Sequence, residues 1–172
     1  MSIYITGDTH GDFDRVVEFC AENGTTHDDV LIVLGDAGLN YWLDYHDDEL
    51  KKEAIAIGSA YSIDKYYRLR MGIPWFETEQ PSEDIMEYVE SQLEKADWRV
   101  DYVLTHTAPM QYEPVWAFIP GVNQERVDKT TEKWLDSIEQ RLDYDYWYCG
   151  HYHVDSYEGP VRIMFEDFDE LN

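Results

Sequence analysis

The chain has 172 residues, enough for one domain with a buried core and few for two, so we expect a single domain over residues 1–172. Hydrophobic residues make up 44% of it, which favours a globular fold over disorder. The 13 Lys and Arg residues against 37 Asp and Glu residues give a formal net charge of −24, which repels polyanions and argues against a nucleic-acid polymer as partner.

The first predicted elements are a strand and a helix. Residues 3–5 form a short apolar run that ends at a polar turn containing Asp8. A helix is predicted over residues 14–23, with Gly24 as its left-handed stop. Its apolar residues fall on one face, which we expect to be buried: Val16, Val17, Phe19 and Cys20.

A second strand is predicted at residues 30–34, where five apolar residues in a row indicate a strand covered on both faces. This strand leads into Asp36. A strand, a helix and a strand in this order predict a parallel pair with a right-handed crossover. Asp8 and Asp36 should therefore emerge at the same edge of one sheet.

The middle of the chain carries weaker patterns. Residues 45–53 are polar and indicate a helix, which passes without a turn residue into a predicted strand at residues 54–58. A further helix is predicted from its N-cap, Ser82, to about Asp97. The buried stripe of that helix is expected to be Ile85, Val89 and Leu93.

The second half alternates strands and helices again. A strand is predicted at residues 100–104, followed by a loop over residues 110–127 that carries two prolines and a glycine. The pattern then predicts an amphipathic helix at residues 130–142 and a strand at residues 144–149. A closing hairpin is expected across residues 158–160.

Six residues of metal-binding types follow four of these strands. A lone histidine at a strand end is usually structural, but four histidines and two aspartates at matching strand ends are typical of a metal centre. Imidazole and carboxylate ligands suit Mn, Fe, Ni, Zn or Co, whereas calcium prefers an all-oxygen shell. The predicted ligands are Asp8, His10, Asp36, His106, His151 and His153.

Two cations in such a cluster favour hydrolytic chemistry. When the ions lie about 3.5–4 Å apart, one carboxylate can bridge them, and a bound water loses its proton near neutral pH to become a hydroxide nucleophile. The ions also polarise the phosphoryl oxygens of a substrate. Gly7, Gly35 and Gly150 each precede a predicted ligand, where a Cβ would crowd the turn.

Four ordered motifs resemble those of the calcineurin-like metallophosphoesterases. They are GDTHG at residues 7–11, GDAG at 35–38, THTAP at 105–109 and GHYH at 150–153, and they span most of the chain. The resemblance implies an α/β sandwich of mixed β-sheets flanked by helices. It also implies two divalent transition-metal ions, expected to be Mn²⁺.

The same resemblance assigns the ligands to two ions. Asp8, His10 and His153 are expected to hold one ion, and Asp36 is expected to bridge. His106 and His151 are expected to bind the other ion.

One motif of the family is missing here, namely Gly-Asn-His followed by Asp or Glu. In the family its Asn completes the second metal's shell, and its His lies over the substrate phosphate. We attribute the loss to an internal deletion near residues 50–54, which leaves a fold truncated in the middle. Such a fold has an uncovered apolar face or edge, so we expect a homodimer or a strand-exchanged oligomer.

Other residues are candidates for the vacant roles. Asn40 and His46 follow Asp36 closely enough to turn back toward the metals, and the alternative is that both are ordinary loop or helix-start residues. Lys65 or Arg68 could pair with a phosphate oxygen, although a solvated turn with aromatic packing is the simpler interpretation.

The sequence therefore predicts a metal-dependent phosphoesterase acting on a small phosphomonoester or phosphodiester. The alternative is a degenerate metal-binding or interaction module with little or no turnover. Cys20 and Cys149 are expected to be reduced and buried, and no leader peptide or membrane span is indicated, so a cytoplasmic location is predicted.

Overall fold

The computed structural model describes residues 1–38, 65–72 and 80–171. In these residues the chain forms seven strands, four α-helices and three short 3-10 turns between Met110 and Arg126. The strands are β1 (Ile3–Thr6), β2 (Val30–Val33), β3 (Arg99–Thr105), β4 (Asp143–Cys149), β5 (Ser156–Glu158), β6 (Val161–Ile163) and β7 (Phe168–Leu171). The helices are α1 (Asp14–Asn23), α2 (Lys65–Met71), α3 (Glu83–Lys95) and α4 (Thr130–Glu139).

The first sheet joins the two ends of the chain in the order β2-β1-β7. β1 and β2 are parallel, with Ile5 opposite Ile32, so the predicted parallel pair is confirmed. β7 runs antiparallel to β1 on its other side, with Phe168 opposite Thr6. The sequence analysis did not predict β7.

The second sheet has the order β3-β4-β6-β5. β3 is parallel to β4 and β4 is parallel to β6, whereas β5 and β6 form the predicted antiparallel hairpin. β3 is an edge strand of this sheet among the strands described. Both sheets are mixed, as predicted.

The two sheets pack face to face and carry helices on their outer faces. Between the sheets lies a buried apolar cluster of Ile5, Leu34, Tyr148 and Met164. On the outer face of the first sheet, α1 packs through Phe19, whose ring stacks on Phe168 at 4.0 Å between centroids. On the outer face of the second sheet, α3 and α4 cover a cluster that contains Leu93, Leu135, Ile138, Trp147 and Val161. The described part is therefore a four-layer α/β/β/α arrangement.

Most helix limits agree with the sequence, and the burial of three residues does not. α1 ends at Gly24, whose φ is 62°, and the Ser82 hydroxyl accepts the Ile85 N–H at the start of α3. Val17 and Ile85, however, are 65% and 53% exposed, because each lies at the border of its apolar stripe. Val30 at the start of β2 is also exposed, and so the prediction that both faces of this strand are covered was wrong there.

Several predictions concern residues outside the described ranges. They are the helix at residues 45–53, the strand at 54–58, the deletion near residues 50–54, and the candidates Asn40 and His46. Within the described ranges, every helix is too short or too polar to cross a lipid bilayer.

Candidate metal centre

The predicted ligands follow the carboxyl ends of four strands. β1 leads into Asp8 and β2 into Asp36, and these strands are parallel neighbours in the first sheet. β3 leads into His106 and β4 into the His151-x-His153 turn, and these strands are parallel neighbours in the second sheet. Because the carboxyl ends of parallel neighbours meet at one edge, each sheet brings its own ligands together.

Asp8 connects the two sheets at this edge. Its carboxylate is 2% exposed, and Oδ1 accepts the backbone N–H of Asp36 at 2.9 Å. Oδ2 accepts the backbone N–H of His151, which belongs to the other sheet, at 2.7 Å. Two backbone donors stabilise the charged form of a carboxylate and fix its orientation.

Asp8, His10 and His153 form a compact group whose potential ligand atoms all lie within 4.8 Å of one another. Nε2 of His10 lies 2.9 Å from Nε2 of His153, and the latter lies 3.9 Å from Asp8 Oδ1. The His153 side chain is 51% exposed, so solvent and small molecules reach this group. Two ring nitrogens and a carboxylate oxygen are a donor set that suits a divalent transition metal.

His106 and His151 form a second histidine pair beside the first group. Nε2 of His106 lies 3.1 Å from Nδ1 of His151. Burial, and to a smaller extent the neighbouring His106, lower the pKa of His151 to about 3. Burial also lowers the pKa of His106, against the opposing charges of Asp36 and Asp8. Both imidazoles are therefore neutral at pH 7, the form in which histidine binds a metal.

Three of the four predicted histidine ligands have left-handed backbone conformations. The φ angles are 50° for His10, 77° for His151 and 52° for His153. A non-glycine residue in this region costs about 1–3 kcal/mol and persists only where its surroundings enforce it. Such strain is concentrated at functional sites, and here three of the five described non-glycine residues with positive φ are predicted ligands, the other two being Asp97 and Trp98.

The glycines beside the ligands are required by close packing between chain segments. A Cβ on Gly35 would lie 2.5 Å from Asp8 Oδ1, and one on Gly150 would overlap the Leu34 carbonyl oxygen. Gly7 is similarly close to the backbone of Met164. The prediction that a Cβ would crowd these turns is confirmed, and the crowding comes from neighbouring strand ends.

A buried hydrogen-bond chain supports the second sheet's ligands, and sequence reasoning missed it. The Tyr152 hydroxyl, between the two histidines of the turn, lies 2.8 Å from the Thr107 hydroxyl. Thr107 donates to Oε1 of Glu132 on α4 at 3.1 Å. Glu132 is 4% exposed, and its Oε2 has no hydrogen-bond partner among the described residues. Thr107 and Tyr152 lie inside the THTAP and GHYH motifs, whereas no sequence signal marked Glu132.

Arg15 on α1 supports the first sheet's ligands in a comparable way. Its guanidinium donates to the carbonyl oxygens of Gly7 and Asp8 at 3.2 and 2.9 Å, and to the Thr6 hydroxyl at 2.6 Å. The side chain therefore holds the chain segment that carries Asp8 and His10. Arg15 is the second residue of α1, and nothing in the sequence pattern marked it for this role.

The described contacts do not place the weaker candidates for substrate binding at this metal centre. Arg68 lies in α2 and its side chain is partly buried. Lys65 begins α2, and its side chain lies outside the described part of the structure, as does all of His46. These assignments stay predictions.

No protein-family model matches the chain, and no curated protein matches it.

Proposed function

We propose that this protein is a metal-dependent phosphoesterase of the calcineurin-like kind, hydrolysing a small phosphomonoester or phosphodiester. The observation that carries the proposal is the pairing of ligand groups across the two sheets. Asp8, His10 and His153 make one three-residue group, and the His106–His151 pair lies against it. The two groups share a hydrogen bond between Asp8 and the His151 backbone.

The Asp8, His10 and His153 group fits one divalent ion, and we propose a second ion beside it, with Mn²⁺ as our choice for both. Asp8, His10 and His153 would hold one ion, His106 and His151 the other, and Asp36 would bridge. When bound, such a pair supplies Lewis-acid charge for a phosphoryl group and lowers the pKa of a water molecule.

The chain's own contribution to the reaction is to prepare these ligands. Two backbone N–H groups hold the Asp8 carboxylate in one orientation, and burial keeps His106 and His151 neutral. Asp8 therefore needs little rearrangement, and His106 and His151 need little proton release, before a metal binds. The exposed side of His153 leaves the first group open to a phosphorylated substrate.

Assays on p-nitrophenyl phosphate and bis-p-nitrophenyl phosphate with added Mn²⁺ test the proposal. We expect metal-dependent turnover of at least one ester and its loss in Asp36→Asn. The matched control is Asp28→Asn, because Asp28 is an exposed carboxylate just before β2 and is not a predicted ligand. Turnover that is independent of metal, or equal in both variants, would contradict the proposal.

A degenerate metal-binding module is the second candidate function, and one observation favours it. Among the described residues, Asp8, His10 and His153 are the only group of three or more His, Cys, Asp or Glu side chains whose potential ligand atoms all lie within 4.8 Å of one another. The second pair lacks a third ligand within that distance, as the missing Gly-Asn-His motif predicts. Binding of one Mn²⁺ per chain, with no turnover of either ester, would favour this candidate.

A further inference from the structure

A large apolar groove runs along β3, beneath α3 and α4. Its volume is about 740 Å³, and apolar side chains from these three elements make up most of its wall. Its inner wall includes buried Leu135 and Trp147, and its rim includes Ile85 and Leu104, which are 53% and 39% exposed. Among residues 1–38, 65–72 and 80–171, the groove is therefore open to a ligand from outside.

One end of the groove reaches the candidate metal centre. Its lining follows β3 from Val100 to Thr105 and continues through His106 and Thr107. His106 is also the residue whose Nε2 faces His151. Since a strand rises about 3.3 Å per residue, the groove extends roughly 20 Å away from the metal ligands. It is continuous with the centre through a shared residue.

Three polar side chains of the groove are already paired inside the protein. The Trp147 indole donates to the Thr105 hydroxyl at 2.8 Å, and that hydroxyl donates to the Thr107 carbonyl oxygen at 2.7 Å. The Trp134 indole donates to Glu90 at 3.0 Å. Such groups offer no unmet hydrogen bond to a polar ligand, so the groove favours an apolar one.

The lack of charged side chains in the described lining also favours an apolar ligand. None of the described residues that line the groove is Asp, Glu, Lys or Arg, although charged residues make up 29% of the chain. A charged ligand would lose its hydration there without gaining a partner. The part of the ligand that lies in the groove must therefore be uncharged. Any charged group of the ligand must lie at the end of the groove next to the candidate metal centre.

We propose that the groove binds the apolar part of the phosphoester substrate, an alkyl or alkyl-aryl group attached to the phosphate that the metals hold. This inference rests on the proposed function and narrows its substrate class. The phosphate would lie at the His106 end, and the apolar group would extend along β3 against Val103 and Leu135. A second copy of this chain is the competing occupant.

Binding of a neutral apolar fluorophore, N-phenyl-1-naphthylamine, tests the groove without requiring turnover. We expect saturable binding of one probe per chain. The variants Ile85→Trp and Leu104→Trp should each weaken it by about tenfold, because the larger ring fills the open rim. Tyr88→Trp is the control, since Tyr88 lies on the same helix, is 65% exposed and does not line the groove. Thermal unfolding checks that each variant folds.

A substrate series tests the connection with the metal centre. Methyl, hexyl and dodecyl p-nitrophenyl phosphodiesters are compared with Mn²⁺ present, and KM should fall about threefold to fourfold per methylene that enters the groove. Ile85→Trp should remove this dependence, and Tyr88→Trp should keep it.

Each other outcome contradicts a distinct claim. Absence of saturable probe binding overturns the groove as a ligand site, whatever the turnover of p-nitrophenyl phosphate. Probe binding with a KM that is independent of chain length overturns the substrate assignment. Probe binding without hydrolysis of any ester overturns the phosphoesterase proposal and the ester as occupant. If the protein has twice the monomer mass and its groove does not bind the probe, a second copy of this chain is the occupant.

Discussion

The backbone N–H of His151 donates a hydrogen bond of 2.7 Å to Oδ2 of Asp8, a residue 143 positions earlier in the chain. The two residues follow strands of different sheets, so this bond fastens the sheets together at the candidate metal centre. Asp8 therefore combines a structural role with its predicted role as a metal ligand. The two roles separate experimentally, because the structural one operates without metal.

Asp8→Asn should destabilise the metal-free protein by about 1–3 kcal/mol, because one of two buried backbone donors then faces an amide N–H₂ instead of an acceptor. Asp8→Ala should cost more, since both donors lose their partner. Urea unfolding in the presence of a chelator measures both. Asp36→Asn is the control and should change the free energy of unfolding by less than about 0.5 kcal/mol, because no described residue donates to its carboxylate. Equal stability of Asp8→Asn and wild type would contradict the structural role.

Gly150→Ala should destabilise the protein by about 1–3 kcal/mol and weaken Mn²⁺ binding, because its Cβ would displace the Leu34 carbonyl and Asp8 Oδ2. Gly121→Ala is the comparison, since its φ of 88° strains any side chain but nothing lies within 4 Å of the added Cβ. That variant should lose about 1–2 kcal/mol of stability from backbone strain and keep its metal affinity. Isothermal titration with Mn²⁺ distinguishes them. Weakened Mn²⁺ binding in both variants would show that the clash is not the cause.

The sequence was sufficient for the strands that carry the predicted ligands. Unbroken or alternating apolar runs marked β1, β2, β3 and β4, and each run ended at a motif rich in polar residues with a glycine or a proline. The pairing of β1 with β2 followed from the order strand, helix, strand. These are local signals, which a single sequence records directly.

The sequence was insufficient where burial depends on distant segments. β7 has the sequence Phe-Asp-Glu-Leu, and its two acidic residues hid a strand that is stabilised by pairing with β1 and by the Tyr148 hydroxyl donating to Asp169. Cys20 was expected to be buried but is only partly so, while Cys149 is buried as predicted. Periodicity identifies an apolar face and does not say how far a neighbouring element covers it.

A buried ion pair between Lys129 and Glu113 gives a further prediction. Lys129 Nζ lies 2.6 Å from both carboxylate oxygens, and the two side chains are only 12% and 7% exposed. Lys129→Met should cost about 3–5 kcal/mol, because it leaves the Glu113 charge buried and unpaired. The double variant with Glu113→Gln should recover most of this loss.

The surface pair Arg99–Asp143 is the matched control for that experiment. Its atoms are 3.3 Å apart, but the side chains are 69% and 73% exposed. Arg99→Met should therefore change the free energy of unfolding by less than about 1 kcal/mol. Similar losses in Lys129→Met and Arg99→Met, measured by urea unfolding, would contradict the buried pair's larger contribution.

Glu132 should make stability depend on pH. Burial raises the pKa of its carboxyl above the ordinary value of 4.5, so the folded state holds a proton that the unfolded state has already released. Stability from this group is complete below the ordinary pKa and is lost as pH rises through the raised one. Glu132→Gln stays neutral and lacks this loss. The free energy of unfolding of the variant, minus that of wild type, should therefore increase over the pH range from the ordinary pKa of 4.5 to the raised one.

Urea unfolding at several pH values across that range measures the difference. Subtracting wild type removes the titration of the other carboxylates, which both proteins share. Glu125→Gln is the control, since Glu125 is an exposed carboxylate on the loop before α4, and its difference from wild type should stay flat with pH. The difference in free energy of unfolding between Glu132→Gln and wild type could instead stay constant with pH. That result would mean that the Thr107 hydrogen bond, which lowers the pKa of the Glu132 carboxyl, offsets the burial that raises it.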